Sequence, residues 1–151
     1  MRVTDQFHLG IVAEDIAATT AALSALFGYE WGPEAGSVSQ VTLPTGAVTV
    51  ELRCVFSVTV PRLEIVRAIP GTLWEPVAGG GIHHVGYWSD DLAADAAELT
   101  TQGYVTEVSR TGADGKPFFA FLRSGKGFRI ELVSRAAETA LSQLWCQGGN
   151  S

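Results

Sequence analysis

Two histidines and two glutamates stand at matching places in the two halves of this chain. His8 lies in Phe7-His8-Leu9-Gly10-Ile11-Val12 and His84 in Ile82-His83-His84-Val85-Gly86. Glu64 lies in Arg62-Leu63-Glu64-Ile65-Val66 and Glu131 in Arg129-Ile130-Glu131-Leu132-Val133. Two imidazoles and two carboxylates suit a divalent ion of the Zn, Ni, Co, Mn or Fe(II) group. Four protein ligands on an octahedral ion leave two adjacent positions open, enough to chelate two neighbouring oxygens of one substrate. Such an ion is a Lewis acid that polarises a carbonyl and stabilises an enolate as a proton leaves the adjacent carbon. A carboxylate held by the ion is a poor base, because the ion stabilises its charged form, and it becomes competent once displaced. Glu64 and Glu131 are therefore the candidate catalytic bases, one to remove a proton and the other to return it.

The elements that carry these residues repeat as well. Aligning His8 on His84 also aligns Gly10 with Gly86, Asp15 with Asp91, Ala17 with Ala93, Ala18 with Ala94, Ala21 with Ala97 and Leu23 with Leu99. In the first half, alternation predicts a strand over 6–13 and helical spacing a helix from Ile16 to Phe27, capped by Asp15 and stopped by Gly28. A loop over 33–36, strands over 38–43 and 47–58, and a strand from Pro61 to about Ile69 follow. Residues 70–81 read as a linker ending in Gly79-Gly80-Gly81. The pattern then restarts: a strand over 82–89, a helix from Asp90 or Asp91 to about Gln102, and strands over 104–110, 117–123 and 128–135. Residues 136–151 are a tail, helix-like to Cys146. Each half is thus β-α-β-β-β, with repeats over about 6–69 and 82–135 in a single domain of α+β class. The first half is longer between its His and its Glu, which fits a longer hairpin where sheets tolerate insertion.

A sheet with one helix buries one face on that helix and leaves the other over. Phe7, Leu9 and Ile11 take the helix side, so His8 faces away. Leu63 and Ile65 alternate with Glu64, and Ile130 and Leu132 with Glu131, so both glutamates face away too. Two curved sheets related by a pseudo-twofold bring these faces together as a cup, formed within one chain or by exchange of halves between two. Glu51, Arg53 and Ser57 share the polar face of the long strand 47–58. There they either line the cup, Arg53 holding an anionic substrate group, or meet water. Arg62 and Arg129 recur in a site role or as solvent-facing salt bridges. His83 reads as a packing histidine, Cys54 as a small core residue, and Cys146 as part of the tail.

Composition bounds the function. The chain has 151 residues, 46% hydrophobic and 17% charged, with a net charge of −6. No basic cluster stands out, which argues against a nucleic-acid surface. No apolar run reaches membrane-span length, and a cytoplasmic protein is expected.

Paired βαβββ units with His on the first strand and Glu on the fourth resemble the vicinal oxygen chelate superfamily. That group includes glyoxalase I, methylmalonyl-CoA epimerase, extradiol dioxygenases and bleomycin-resistance proteins. The similarity runs from about Phe7 to Val133. It implies a glyoxalase-like cupped mixed sheet, with a divalent metal held by His8, Glu64, His84 and Glu131, as in glyoxalase I of the metal-binding bacterial type. Epimerases often carry Gln where this chain has Glu64. The activity implied is that of a metal-dependent lyase, isomerase or epimerase on a small-molecule substrate. Glu51, Arg53 and Trp88 are the candidate substrate-binding residues, and a homodimer is the expected assembly. Two alternatives remain. One is a non-catalytic binder of antibiotic-like molecules, using Trp31, Trp74, Trp88, Phe119 or Phe121 as a platform. The other is an Fe(II) extradiol-type dioxygenase using His8, His84 and Glu131.

Overall fold

The computed structural model describes residues 1–146, so the end of the expected tail, 147–151, lies outside the described residues. The first half runs β1 (Gln6–Ala13), α1 (Ile16–Phe27), β2 (Ala35–Leu43), β3 (Gly46–Phe56) and β4 (Leu63–Arg67). The second runs β5 (His84–Ser89), α2 (Leu92–Thr101), β6 (Tyr104–Thr111), β7 (Pro117–Ser124) and β8 (Arg129–Ser134). A single 3-10 turn, Arg135–Ala137, leads into α3 (Glu138–Cys146). The fold is α+β, and its mixed sheet has the strand order β1-β4-β3-β2-β6-β7-β8-β5. In each half the fourth strand therefore lies between the first and the third. It runs parallel to the first and antiparallel to the third.

The chain divides into two compact units. One comprises Met1–Phe7, Ser39–Val50 and His84–Glu138; the other comprises His8–Val38, Glu51–His83 and the chain from Thr139. The division does not follow the repeat: the tip of the β2–β3 hairpin joins the unit that holds the second half. Thr42 of β2 pairs there with Ser109 of β6.

Capping explains where the first two helices begin. The Asp15 carboxylate accepts a hydrogen bond from the Ala18 N–H, and Asp91 accepts one from Ala94, both at 3.0 Å. Each satisfies a backbone donor that has no partner within its helix. Gly28 ends α1 in the left-handed region at φ 75°, its N–H bonded to the Ser24 carbonyl.

The helices bury different amounts. Leu92 and Leu99 of α2 are buried against Ala120, Leu122, Ile130 and Leu132. No residue of α1 is buried. Ile16 and Leu23 pack on Ala13, Val55 and Ile65, whereas Leu26 and Phe27 are 71% and 70% exposed. The apolar face expected for α1 is thus narrower than its sequence suggests. Ile16 and Leu23, two turns apart, meet the sheet, while the last turn runs past it.

Several boundaries also differ from expectation. β2 starts at Ala35, inside the expected loop. Gly36 makes this possible: a Cβ there would lie 1.9 Å from the Leu52 carbonyl oxygen, so only glycine allows the close approach. β4 is shorter than expected, and β5 begins at His84 rather than Ile82. His83 precedes it, donating its N–H to the Gly10 carbonyl at 2.7 Å. Among the described residues no helix is long and apolar enough to cross a membrane.

Candidate metal centre

The first His–Glu pair is built by β1 and β4, which pair with Leu9 opposite Leu63 and Gly10 opposite Glu64. Alternation along β1 turns Ile11 and Ala13 to the helix-side core and His8 and Gly10 to the other face. His8 Nε2 lies 3.1 Å from Glu64 Oε2, with the imidazole side chain 1% exposed. Phe56, directly across from Glu64 on β3, meets the His8 ring edge-on at 5.6 Å.

The second pair repeats this layout. Gly86 stands opposite Glu131, as Gly10 stands opposite Glu64. His84 Nε2 lies 3.4 Å from Glu131 Oε2, and its side chain is fully buried. Phe121, across from Glu131 on β7, meets the His84 ring edge-on at 5.0 Å. Each half therefore supplies the same set: a histidine, a glutamate, a phenylalanine backing the histidine, and a glycine beside the glutamate. The glycine leaves the sheet face bare next to the carboxylate, and the phenylalanine edge limits the rotation of the imidazole.

The pairs have the spacing that a divalent ion requires. Ligand bonds of about 2.1 Å at right angles put neighbouring donor atoms about 3 Å apart. The two His–Glu separations, 3.1 and 3.4 Å, are close to that value. Burying carboxylates costs free energy unless a hydrogen bond or a cation compensates it, so a buried His–Glu pair suits a cation. His8 and Glu64 in one pair, and His84 and Glu131 in the other, are all buried.

The other residues singled out from the sequence sit as follows. Glu51 is exposed and bound to Arg53 (3.1 Å) and Arg67 (3.4 Å) in an ion triad at the surface. Ser57 is buried, and its hydroxyl donates to the Thr59 carbonyl at 2.7 Å. Trp88 is buried and stacked on Phe7 at 3.8 Å. Trp74, Phe119 and Phe121 are buried as well, and the half-buried Trp31 donates its indole N–H to Ser24. None of these aromatic residues presents an open platform. His83 Nε2 lies 2.6 Å from the Leu73 carbonyl, as suits a packing histidine.

Neither recurring arginine is a solvent-facing salt bridge. Arg129 forms a bidentate pair with Glu107 at 2.6 and 3.1 Å, with 11% of its side chain exposed. Arg62 is half-buried and donates Nη1 to the Ser57 carbonyl at 2.5 Å. Its guanidinium lies over the Trp145 ring, 4.4 Å from the centroid. Desolvation holds the Arg62 pKa below the ordinary arginine value.

Sequence reasoning missed Phe56 and Trp145, and it saw in Phe121 a platform rather than a backing residue. The recurrence of phenylalanine on the third strand of each half was a legible signal for the backing pair. Trp145 left no such signal.

The family model described as the glyoxalase/bleomycin resistance protein/dioxygenase superfamily matches residues 7–121. The chain belongs to this superfamily. The vicinal oxygen chelate chain also resembles several solved structures. A Streptomyces coelicolor methylmalonyl-CoA epimerase variant in complex with 2-nitronate-propionyl-CoA is 21% identical. The alignment covers 88% of this chain and 95% of that one, with a TM-score of 0.59. A methylmalonyl-CoA epimerase in complex with methylmalonyl-CoA is 24% identical over 88% and 95% of the two chains, with a TM-score of 0.57. The Mycobacterium tuberculosis methylmalonyl-CoA epimerase is 19% identical over 92% and 93%, with a TM-score of 0.56. These structures share the fold. No curated protein matches the sequence.

Proposed function

We propose that this protein is a metal-dependent lyase, isomerase or epimerase that transfers a proton next to the chelated carbonyl of a small molecule. His8, Glu64, His84 and Glu131 would together hold one divalent ion. The observation that supports this most directly is the repeated buried pair: His8 Nε2 lies 3.1 Å from Glu64 Oε2, and His84 Nε2 lies 3.4 Å from Glu131 Oε2. When bound, the ion supplies Lewis-acid polarisation of the substrate carbonyl.

The chain's own residues would do the rest. The Phe56 and Phe121 edges hold the two imidazoles in place. Burial of all four ligand side chains keeps water away from the reacting carbon. Glu64 takes the proton and Glu131 returns it, or the reverse, which needs no further acid–base residue. The epimerases among the structural relatives make this reading preferable to the alternatives. The aromatic residues named for the binder reading are buried or half-buried.

The test is solvent exchange. Metal-loaded protein is incubated in D2O with a panel of α-hydroxy and α-acyl carbonyl compounds, and deuterium at the carbon next to the carbonyl is followed by NMR. Wild type should exchange at least one compound. Glu64→Gln and Glu131→Gln should each slow exchange by about 10²–10⁴-fold, the usual worth of a positioned base. Exchange as fast as wild type in both variants would remove the glutamates from the proton path. A panel with no exchange at all would remove the catalytic reading.

A further inference from the structure

We propose that Arg62 is an anion-binding group beside the metal centre, and that the carbonyl substrate therefore carries a carboxylate or phosphoryl group. The proposal rests on the metal-centred reading above and names the substrate class for it.

Placement is the first argument. Arg62 immediately precedes β4 and stands two residues before Glu64. Its carbonyl accepts the N–H of Leu9, the neighbour of His8, at 3.0 Å. The Arg62 backbone is thus held to the chain neighbour of His8, two residues before Glu64.

The charge is the second argument. Among the described residues Arg62 pairs with no carboxylate. Its polar contacts are Nη1 to the Ser57 carbonyl at 2.5 Å and a weaker approach to Val58 at 3.5 Å. Nε and Nη2 are left over, and an arginine fork with two N–H groups to spare matches the paired oxygens of a carboxylate or phosphate. Its counterpart in the repeat behaves differently: Glu107 accepts from both Nε and Nη2 of Arg129. One half therefore neutralises its arginine internally, and the other keeps a half-buried cation. Such a cation is costly without a counter-ion, and an anion brought by the substrate would offset that cost.

Preorganisation is the third argument. The indole of Trp145, carried by α3, covers one guanidinium face and meets Phe56 edge-on at 5.2 Å. The helix seats tightly where it carries this residue: a Cβ at Gly32 would lie 1.7 Å from the Leu144 carbonyl oxygen. The guanidinium plane is held before any ligand arrives, which lowers the ordering cost of binding. Arg53, the arginine that the sequence offers for an anionic group, is already engaged by Glu51.

The test uses three chelators with the same hydroxamate head: neutral acetohydroxamic acid, a carboxylate-bearing analogue and a phosphonate-bearing analogue. Each is titrated calorimetrically into the Co(II)-loaded protein. Wild type should prefer one or both anionic analogues by about 10- to 100-fold, the worth of a charge-assisted hydrogen-bond pair. The preferred analogue tells carboxylate from phosphoryl. Arg62→Met keeps the aliphatic stem and should reduce the preference to within about threefold. Arg62→Lys should retain part of it, and Arg129→Met all of it. A wild type without preference, or a preference that survives Arg62→Met, overturns the proposal while the metal reading stands. Should Arg62→Met not fold, the wild-type and Arg62→Lys titrations decide alone. Silence of all three chelators on wild type would overturn the metal reading and this proposal with it.

Discussion

Replacing His84 with alanine tests the shared metal centre most directly. The imidazole is fully buried, 3.4 Å from Glu131 and edge-on to Phe121. Its loss removes one of four donor atoms and leaves the Glu131 carboxylate without its partner. Even partners outside the ligand shell are worth 10–100-fold in metal affinity, so losing a ligand should cost on the order of 100-fold. The consequence for stability follows from mass action. At a metal concentration 100 times the wild-type Kd, binding stabilises the folded chain by about 2.7 kcal/mol. For a chain of this size that raises Tm by about 5–11 °C. At the same concentration a 100-fold weaker variant gains about 0.4 kcal/mol, or about 1–2 °C. Alanine also leaves a void that destabilises the metal-free protein, so the quantity to compare is each variant's own metal-induced shift, read by calorimetry with and without Zn(II) or Co(II). His8→Ala should lose the same shift if, as proposed, both histidines serve one ion. Undiminished shifts in both variants would refute the reasoning. So would two ions per chain, with His8→Ala losing one and His84→Ala the other.

Gly86→Val places a side chain beside Glu131, where the strand tolerates a β-branched residue but the carboxylate loses its bare surroundings. Metal affinity, measured by chelator competition, should fall by roughly tenfold, and unchanged affinity would deny the glycine its role. Asp5 is buried, and its carboxyl is held below the usual aspartate range, first by the Arg2 N–H at 2.7 Å and then by the Arg135 guanidinium. A lowered carboxylate pKa contributes stability above the unfolded value of about 3.9 and loses it as pH falls through the folded value. Asp5→Asn should therefore unfold at lower denaturant than wild type near pH 7, with the gap closing in acid. A gap that stays constant with pH would contradict this.

The chain's periodicities revealed much of this fold. Asp15 and the Asp90-Asp91 pair announced the starts of α1 and α2, with Asp91 the cap, because a side chain that caps its own helix acts within three residues. Alternation around His8, Glu64, His84 and Glu131 put all four on faces away from the helix-side cores, because strand geometry fixes side-chain direction with period two. The misreadings had local causes. Gly36 looked like a loop residue, yet its lack of a Cβ lets β2 approach Leu52. Leu26 and Phe27 are apolar yet exposed, because hydrophobicity marks what can be buried, not how far a sheet extends beneath a helix.

Residue type and repeat alone determined which four side chains to watch and the order of strands and helices in each half, and through them the resemblance to the superfamily. Pairing between distant segments decided the rest. That Phe56 backs His8, that Gly10 and Gly86 lie opposite the glutamates, and that Glu107 neutralises Arg129 all depend on register between strands. Trp145 reaches Arg62 across 83 residues (145 − 62) by the docking of α3, which no local pattern encodes. The physical reason is range: capping and alternation act over a few residues and leave a mark in the sequence. The match between a cation and its counter-charge is set by which surfaces folding brings together.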